Sequence, residues 1–299
     1  MKYIHNKHID KVKWDELVFS STNPRIYMLS WYLDITCPGW YAFVWNDYEA
    51  GFPVFVKSIV FFKYVPPPLL SQQTGLFFRK GFDFRSALKE AFSSLTVKLM
   101  LRFNVNFHSQ LTSSELGILD SNNLLVRKNY ILDISRTYVD LASNYNDNRR
   151  RNLKKAVAQG WTCQSSENID DAIEMYKTFQ GFGQKGLANI YDILKGIFLE
   201  CKKRDMAELY CCKSQEDEVL AFCFFARFEN RIYYLFGSMN DAGKKNSAMS
   251  VIFDFVIKKY SGNNLILDFE GGNSPGIGNY FSSFGAIPEE YIAYKKNLI

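Results

Sequence analysis

Residues 219–239, VLAFCFFARFENRIYYLFGSM, decide how this chain folds. They contain two runs rich in apolar residues, Val219–Phe228 and Arg231–Met239, which read as strands joined by a tight turn at Asn230. On the amino-terminal side, Ala207–Lys213 adds a third strand, preceded by helices over Asp170–Gln180 and Ala188–Arg204. On the carboxy-terminal side follow a helix over Ala248–Tyr260, a strand over Asn264–Phe269, a helix over Ile277–Phe284 and a strand over Tyr291–Lys296. Helices, an antiparallel meander, a crossover helix and returning strands make a mixed α/β (α+β) layer architecture.

The first half reads differently. Trp40–Trp45 and Phe52–Phe62 are expected strands joined by the polar, glycine-ended stretch 46–51, and Val65-Pro66-Pro67-Pro68 stops the second. Phe84–Leu95 has apolar residues at helical spacing (Leu88, Ala91, Phe92, Leu95) behind an available N-cap, Asp83. Strands over Val97–Phe103 and Asn129–Ser135 complete this half, with a polar loop at 109–123 between them. Thr137–Gly160 is polar, basic and helical, and ends at Gly160, the residue expected just past a helix. The expected division is 1–137 and 138–299.

At 299 residues the chain accommodates one large domain or two, and its 47% hydrophobic content excludes disordered, collagenous and disulfide-scaffold classes. The balance of 36 Lys+Arg over 31 Asp+Glu, a net charge of +5, is too mild for a dedicated nucleic-acid binder, so no DNA partner is expected. The six cysteines show no C-x-x-C spacing and all three histidines lie in the first half, so no metal site is expected. Without an apolar stretch of signal-peptide or membrane-spanning length, the expected setting is the cytoplasm.

Three stretches carry candidate chemistry. In 145–160, YNDNRRRNLKKAVAQG, five cations fall within residues 149–155. Arg150 with Lys154, and Arg151 with Lys155, are like-charged i, i+4 neighbours. They form either a solvated face balanced by local carboxylates or, with Arg149 and Arg150 foremost, a contact for phosphate or RNA backbone. In 265–278, LILDFEGGNSPGIG, a strand runs into a glycine-rich turn. Period-two alternation puts Asp268 and Glu270 on one side of that strand. They are either a cap and a solvated turn residue, or a general base and a contact for a substrate amine, with Gly271, Gly272 and Asn273 beside them. In 236–248, FGSMNDAGKKNSA, a strand again runs through a loop to a helix, which is either an ordinary serine-capped start or a place for a pyrophosphate. Cys211 and Cys212, adjacent in a strand, face opposite sides and read as core fillers.

The second half has the element order of the Gcn5-related N-acetyltransferase (GNAT) fold. Three stretches, NRRRNLKKAVAQGW, YYLFGSMNDAGKKNSA and LDFEGGNSPGIGNYFSSFGA, resemble the tandem-GNAT proteins related to the Fem peptidyltransferases. The resemblance implies two GNAT-like domains, each a mixed, mostly antiparallel sheet flanked by helices. It also implies transfer of an acyl or aminoacyl group to an amine of a small molecule or peptide. The donor would be acyl-CoA or aminoacyl-tRNA, with tRNA the less favoured and no cofactor bound covalently. It places the donor along Tyr234, Phe236, Gly237, Ser238, Lys245, Asn246, Ser247 and Ala248, with backbone amides of 234–238 facing the oxyanion. Asp268 or Glu270 would take the amine proton, and Arg149, Arg150, Tyr233, Gly271, Gly272 and Asn273 would contact substrate. Lys245-x-x-Ala248-x-Ser250 keeps the cation and small residues of the coenzyme loop but neither glycine, and Ser282 stands where Fem-type enzymes commonly carry lysine. A catalytically inactive tandem-GNAT module binding an amine-bearing or anionic ligand is the alternative. On this reading the Tyr and Trp residues of 31–48 and 233–234 line the groove and Phe fills the core. A pantetheine arm would require the strands holding Tyr234 and Asp268 to splay apart.

Overall fold

In the computed structural model, which describes residues 1–59, 62–97, 100–181 and 189–297, the chain divides into two units, Met1–Arg127 with Glu290–Ile299 and Lys128–Glu289. Of the expected elements Phe52–Phe62, Val97–Phe103 and Ala188–Arg204, residues 60, 61, 98, 99 and 188 lie outside the described residues.

The first unit opens with β1 (Lys2–His5) and α1 (Lys11–Ser20). The Asp10 carboxylate starts α1 by accepting from the amides of Val12 and Lys13 at 3.1 and 3.2 Å. After α2 (Ser30–Thr36) come β2 (Tyr41–Trp45), β3 (Ala50–Val54), β4 (Lys57–Ile59), β5 (Phe62–Val65) and β6 (Phe77–Phe78). β1, β2, β3 and β6 form an antiparallel sheet in that order. The expected strand over Phe52–Phe62 is interrupted: β4 turns back on β5, pairing Lys57 with Tyr64. α3 (Phe84–Val97), capped by Asp83 through the Ser86 amide, buries Leu88, Ala91 and Leu95 beside Phe103 of β7 (Met100–Asn106). The aromatic expectation needs correction here. Tyr32, Trp40 and Trp45 are core residues, and the Trp40 and Trp45 indoles donate to Asp34 and Glu90 inside the unit.

β8 (Leu124–Asp133) carries the chain into the second unit, followed by α4 (Tyr138–Ser143) and α5 (Asp147–Ala158). The single helix expected over Thr137–Gly160 is broken because Asn146 caps a new start, its side chain accepting from the Arg149 amide at 2.8 Å. Then come β9 (Thr162–Ser166), α6 (Ile169–Phe179), α7 (Ile190–Lys203), β10 (Ala207–Lys213), β11 (Val219–Phe228) and β12 (Arg231–Met239). α8 (Asp241–Asn246), α9 (Ala248–Tyr260), β13 (Ile266–Asp268), α10 (Pro275–Ser282) and β14 (Ile287–Asn297) complete the chain. The sheet of this unit runs β8-β13-β12-β11-β10-β9 and is antiparallel except for the parallel pair β12 and β13. Ile252, Phe253, Val256 and Ile257 of α9 pack on Phe225, Ile232 and Leu267 of this sheet. Residues 293–297 of β14 pair with β7 in the first unit. Among the described residues no helix is long and apolar enough to cross a membrane.

Candidate active site

The meander of β10, β11 and β12 forms as the apolar pattern requires, with Glu229 at φ 51° in the turn between β11 and β12. Partway along, the register slips. Phe224 faces Phe236 while Phe225 faces Tyr234, so β12 carries one extra residue, Leu235, as a β-bulge. On its other side β12 pairs with β13 only over Arg231–Tyr233, and the pairing ends where Tyr233 meets Asp268. β13 stops there and β12 continues.

Beyond that point the two segments part and line a cavity of about 440 Å³, with Tyr234–Gly237 on one wall and Phe269–Ser274 on the other, closed by Tyr176, Ile277 and Phe281. A second cavity of about 540 Å³ shares Tyr234, Gly237, Ile277 and Phe281 with it and extends to Gln180, Met239, Lys244, Ser247, Met249, Gly276 and Tyr280. Both lie wholly within the second unit. Gly237 is required where these walls meet: a Cβ there would lie 2.1 Å from the Tyr234 hydroxyl and 2.6 Å from Met249 Cε. A Cβ on Gly276, which also lines the second cavity, would meet nothing within 4 Å.

The glycine turn is held by Asp268, which does not line the cavity. Its Oδ2 accepts from Arg231 at 2.7 Å, and its Oδ1 accepts from Asn129 Nδ2 at 2.7 Å and from the Glu270 amide at 3.0 Å. Asn129 Oδ1 in turn accepts from the Gly271 amide, and the Asn273 side chain accepts from the Lys128 amide. Arg231 spans to Glu289 at 2.6 Å. Thus the expected pairing of Asp268 with Glu270 on one strand face needs correction. The strand ends at Asp268 and Glu270 adopts φ 56°, so alternation does not carry across; Glu270 turns to the cavity while Asp268 faces Arg231. Gly272, at φ 131°, lets the turn lie against the Tyr130 ring.

The basic helix also separates. Arg150 is exposed and bonded to Asp147 at 2.7 Å, whereas Arg149 is buried. Arg149 Nε and Nη2 donate to Ser283 Oγ at 3.1 and 2.9 Å, and Nη1 donates to Ser250 Oγ. Its guanidinium lies 4.5 Å from the Tyr280 ring centre and 4.2 Å from that of Phe284. Burial holds its pKa below the ordinary arginine value. Arg149 is therefore no surface contact for phosphate. Nearby, Asp254 accepts from Tyr138 at 2.9 Å and Tyr145 at 3.0 Å, and burial raises its carboxyl.

Of the other residues singled out from sequence, Tyr234, Phe236, Gly237, Ser247, Gly271, Gly272 and Asn273 line the cavities. Tyr233, Ser238 and Ala248 are buried away from these walls, Lys245 is exposed outside them, and Asn246 accepts from Lys155 at 3.0 Å. Phe236, Phe269 and Phe281 line the groove that Tyr and Trp were expected to own. Tyr176, Gln180, Lys244, Met249, Ile277 and Tyr280 were not anticipated. Tyr280 has a sequence signal, its place directly before Phe281 on the helix that follows the glycine turn. Burial pushes its phenol up to about 12, and raises that of Tyr234 as well.

Residues 143–282 match the family model described as acetyltransferase (GNAT) domain. Among solved structures, the chain is similar to FemX (12% identity, 98% of this chain and 97% of that chain covered, TM-score 0.69). It is similar to L-PGS from Bacillus licheniformis (12% identity, 95% and 91% covered, TM-score 0.58). It is also similar to a tandem GNAT protein from the clavulanic acid biosynthesis pathway (8% identity, 100% and 98% covered, TM-score 0.58). No curated protein sequence matches the chain.

Proposed function

From the GNAT domain model matched over residues 143–282 and the fold shared with FemX and a tandem GNAT protein, we propose that the chain belongs with the tandem-GNAT proteins related to the Fem transferases and that its second unit transfers an acyl group to an amine. The observation that carries the reading is the parting of β12 from β13 after Tyr233 and Asp268, which opens adjoining, partly aromatic cavities where β13 ends beside the continuing β12. An acyl donor lying between those strands presents its carbonyl to the bulge at Leu235. There the ladder is locally disrupted and backbone amides of 234–238 serve as oxyanion donors.

The acceptor is the amine of a small molecule or peptide in the cytoplasm. Its nitrogen forms the new bond to the acyl carbon, the bond from that carbon to sulfur or oxygen breaks, and Glu270 takes the surplus amine proton. Glu270 suits this role because it is the carboxylate residue lining the cavity, held there by a left-handed backbone, a conformation costing on the order of 1–3 kcal/mol. Asp268 is a positioning residue that fixes the turn. Acyl-CoA is the preferred donor: Lys244 and the start of α9 at Ser247, which has no side-chain cap, sit together at the cavity edge and suit phosphate. Aminoacyl-tRNA ranks second. The exposed Arg150, Arg151 and Lys154 would meet its backbone.

Calorimetric titration of the full chain with acetyl-CoA, a longer acyl-CoA and charged tRNA, together with mass analysis of amine products, tests the reading. Binding and product with an acyl-CoA are expected, with Glu270→Gln lowering kcat about 10²–10⁴-fold while donor binding persists. No heat and no product with any of the three donors rejects it. The second reading, a binding module without turnover, is favoured by the commitment of Asp268 to Arg231, which leaves one cavity carboxylate where two were expected. Product that disappears in Glu270→Gln excludes that module.

A further inference from the structure

The first unit holds a cavity of its own. Helical spacing puts Lys89, Phe92 and Ser93 on one side of α3, and strand alternation puts Tyr294 and Lys296 on one side of β14. With Phe103 of β7 and residues 118–120, they line a cavity of about 440 Å³, within the range of small-molecule sites. All of this lining belongs to the first unit. Its buried part is aromatic. The Phe92 ring centre lies 6.1 Å from that of Phe103 and 5.0 Å from that of Tyr294, with the rings inclined by 53° and 74°. Tilted rings present edges as well as faces, which is how aromatic groups prefer to meet. The polar part is short of partners. Tyr294 is 3% exposed, yet among the described residues its hydroxyl has no hydrogen-bond partner. Burial, followed by Asp120, raises its pKa, so the phenol keeps its proton and is a donor. Among the described residues neither Lys89 nor Lys296 has a carboxylate within ion-pair distance. The Asp120 carboxylate serves its own turn, accepting from the Asn122 amide at 3.1 Å and from Asn123 Nδ2 at 2.7 Å.

We propose that this cavity binds a small aromatic carboxylate, its ring against Phe92, Phe103 and Tyr294 and its carboxylate at Lys89, Lys296 and the Tyr294 hydroxyl. The lining selects the class. Two unpaired cations against one engaged carboxylate leave the site positive, so an anion complements it better than a neutral ring. An aliphatic acid meets the cations but forgoes the tilted-ring contacts. Exposed ion pairs contribute little by themselves, so the ring and the buried hydroxyl supply most of the affinity and the lysines set the preference for an anion. No bond is made or broken, and none of these residues belongs to the acyl-transfer site, so the proposal is independent of that reading.

Calorimetric titration of the full chain with 2-naphthoate, 2-naphthamide and octanoate tests it. One equivalent of 2-naphthoate is expected to bind with a Kd of about 1 mM or tighter, and the amide and octanoate about tenfold more weakly. Lys89→Gln combined with Lys296→Gln is expected to weaken 2-naphthoate about tenfold and leave 2-naphthamide unchanged. Tyr294→Phe, which keeps the ring and loses the hydroxyl, is expected to weaken 2-naphthoate about fivefold. Ser93→Trp, at an exposed position on the cavity, is expected to fill it and abolish binding. Absence of 2-naphthoate binding, or binding that survives Ser93→Trp unchanged, overturns the site. Octanoate binding as tightly as 2-naphthoate overturns the aromatic class, and 2-naphthamide doing so overturns the anion.

Discussion

Arg149 and Arg231 are both buried in the second unit, yet the fold treats the two cations differently. Arg231 is met by two carboxylates, Asp268 at 2.7 Å and Glu289 at 2.6 Å, and its charge is spent on fixing the strand end and the glycine turn. Arg149 is met by two serine hydroxyls and two ring faces, and among the described residues no carboxylate lies within ion-pair distance of it. Its positive field is therefore available to the next polar group, the phenol of Tyr280. A neutralised cation serves as a clamp, and one held by neutral groups can influence chemistry.

The largest effect should come from breaking the clamp. Asp268→Ala leaves Arg231 buried with one partner fewer, and a loss of about 3–5 kcal/mol is expected in urea unfolding. Arg149→Met should cost less, about 1.5–3 kcal/mol, because it strands hydroxyl acceptors rather than a charge. If Arg149→Met costs as much as Asp268→Ala, the distinction fails.

A third site sharpens the contrast by keeping a buried base uncharged. His108 in the first unit is 4% exposed, and burial, followed by the nearby Arg25, lowers its pKa to about 3. Below the unfolded value of about 6.5 the unfolded chain takes up a proton that the folded chain refuses. This contribution is therefore complete above about 6.5 and is lost progressively as pH falls toward 3. Near pH 5 the loss is about 2 kcal/mol. His108→Phe should remove it, and parallel stability profiles for wild type and variant between pH 7 and 4 would refute this. The smallest effect is expected outside the core. Arg150→Ala, which loses an exposed pair with Asp147, should change stability by under about 0.5 kcal/mol.

Legibility in the sequence followed how much each segment depends on its own neighbours. α9 and the two strands of 219–239 are apolar enough to declare themselves, and α9 occupies Ala248–Tyr260 as read. α8 and β9 were missed because they are short and polar, and neither has an apolar period to detect. α8 is set by Asn240, whose side chain accepts from the Gly243 amide at 2.7 Å, and β9 by pairing with β10. In the site, the glycine turn and Tyr234 were legible, whereas the commitments of Asp268 and Arg149 were not. Arg149, Arg150 and Arg151 look alike as residue types. Only helical phase, which aligns Arg149 with Leu153 and Ala156 on the inner face, separates the buried one. The partner of Asp268 lies 37 positions away on another strand, a distance that local spacing does not register.

The two glycines that line the second cavity, Gly237 and Gly276, have opposite meaning for anyone redesigning it. Position 237 is closed to any side chain unless the Tyr234 and Met249 side chains move, so the width of the groove there is set by those two side chains against the glycine. Position 276 is open, and its neighbour Ile277 is 49% exposed. On the acyl-transfer reading proposed above, residues 276 and 277 are therefore the positions to grow or trim when the groove is to take a different chain, with Gly237 left as it is.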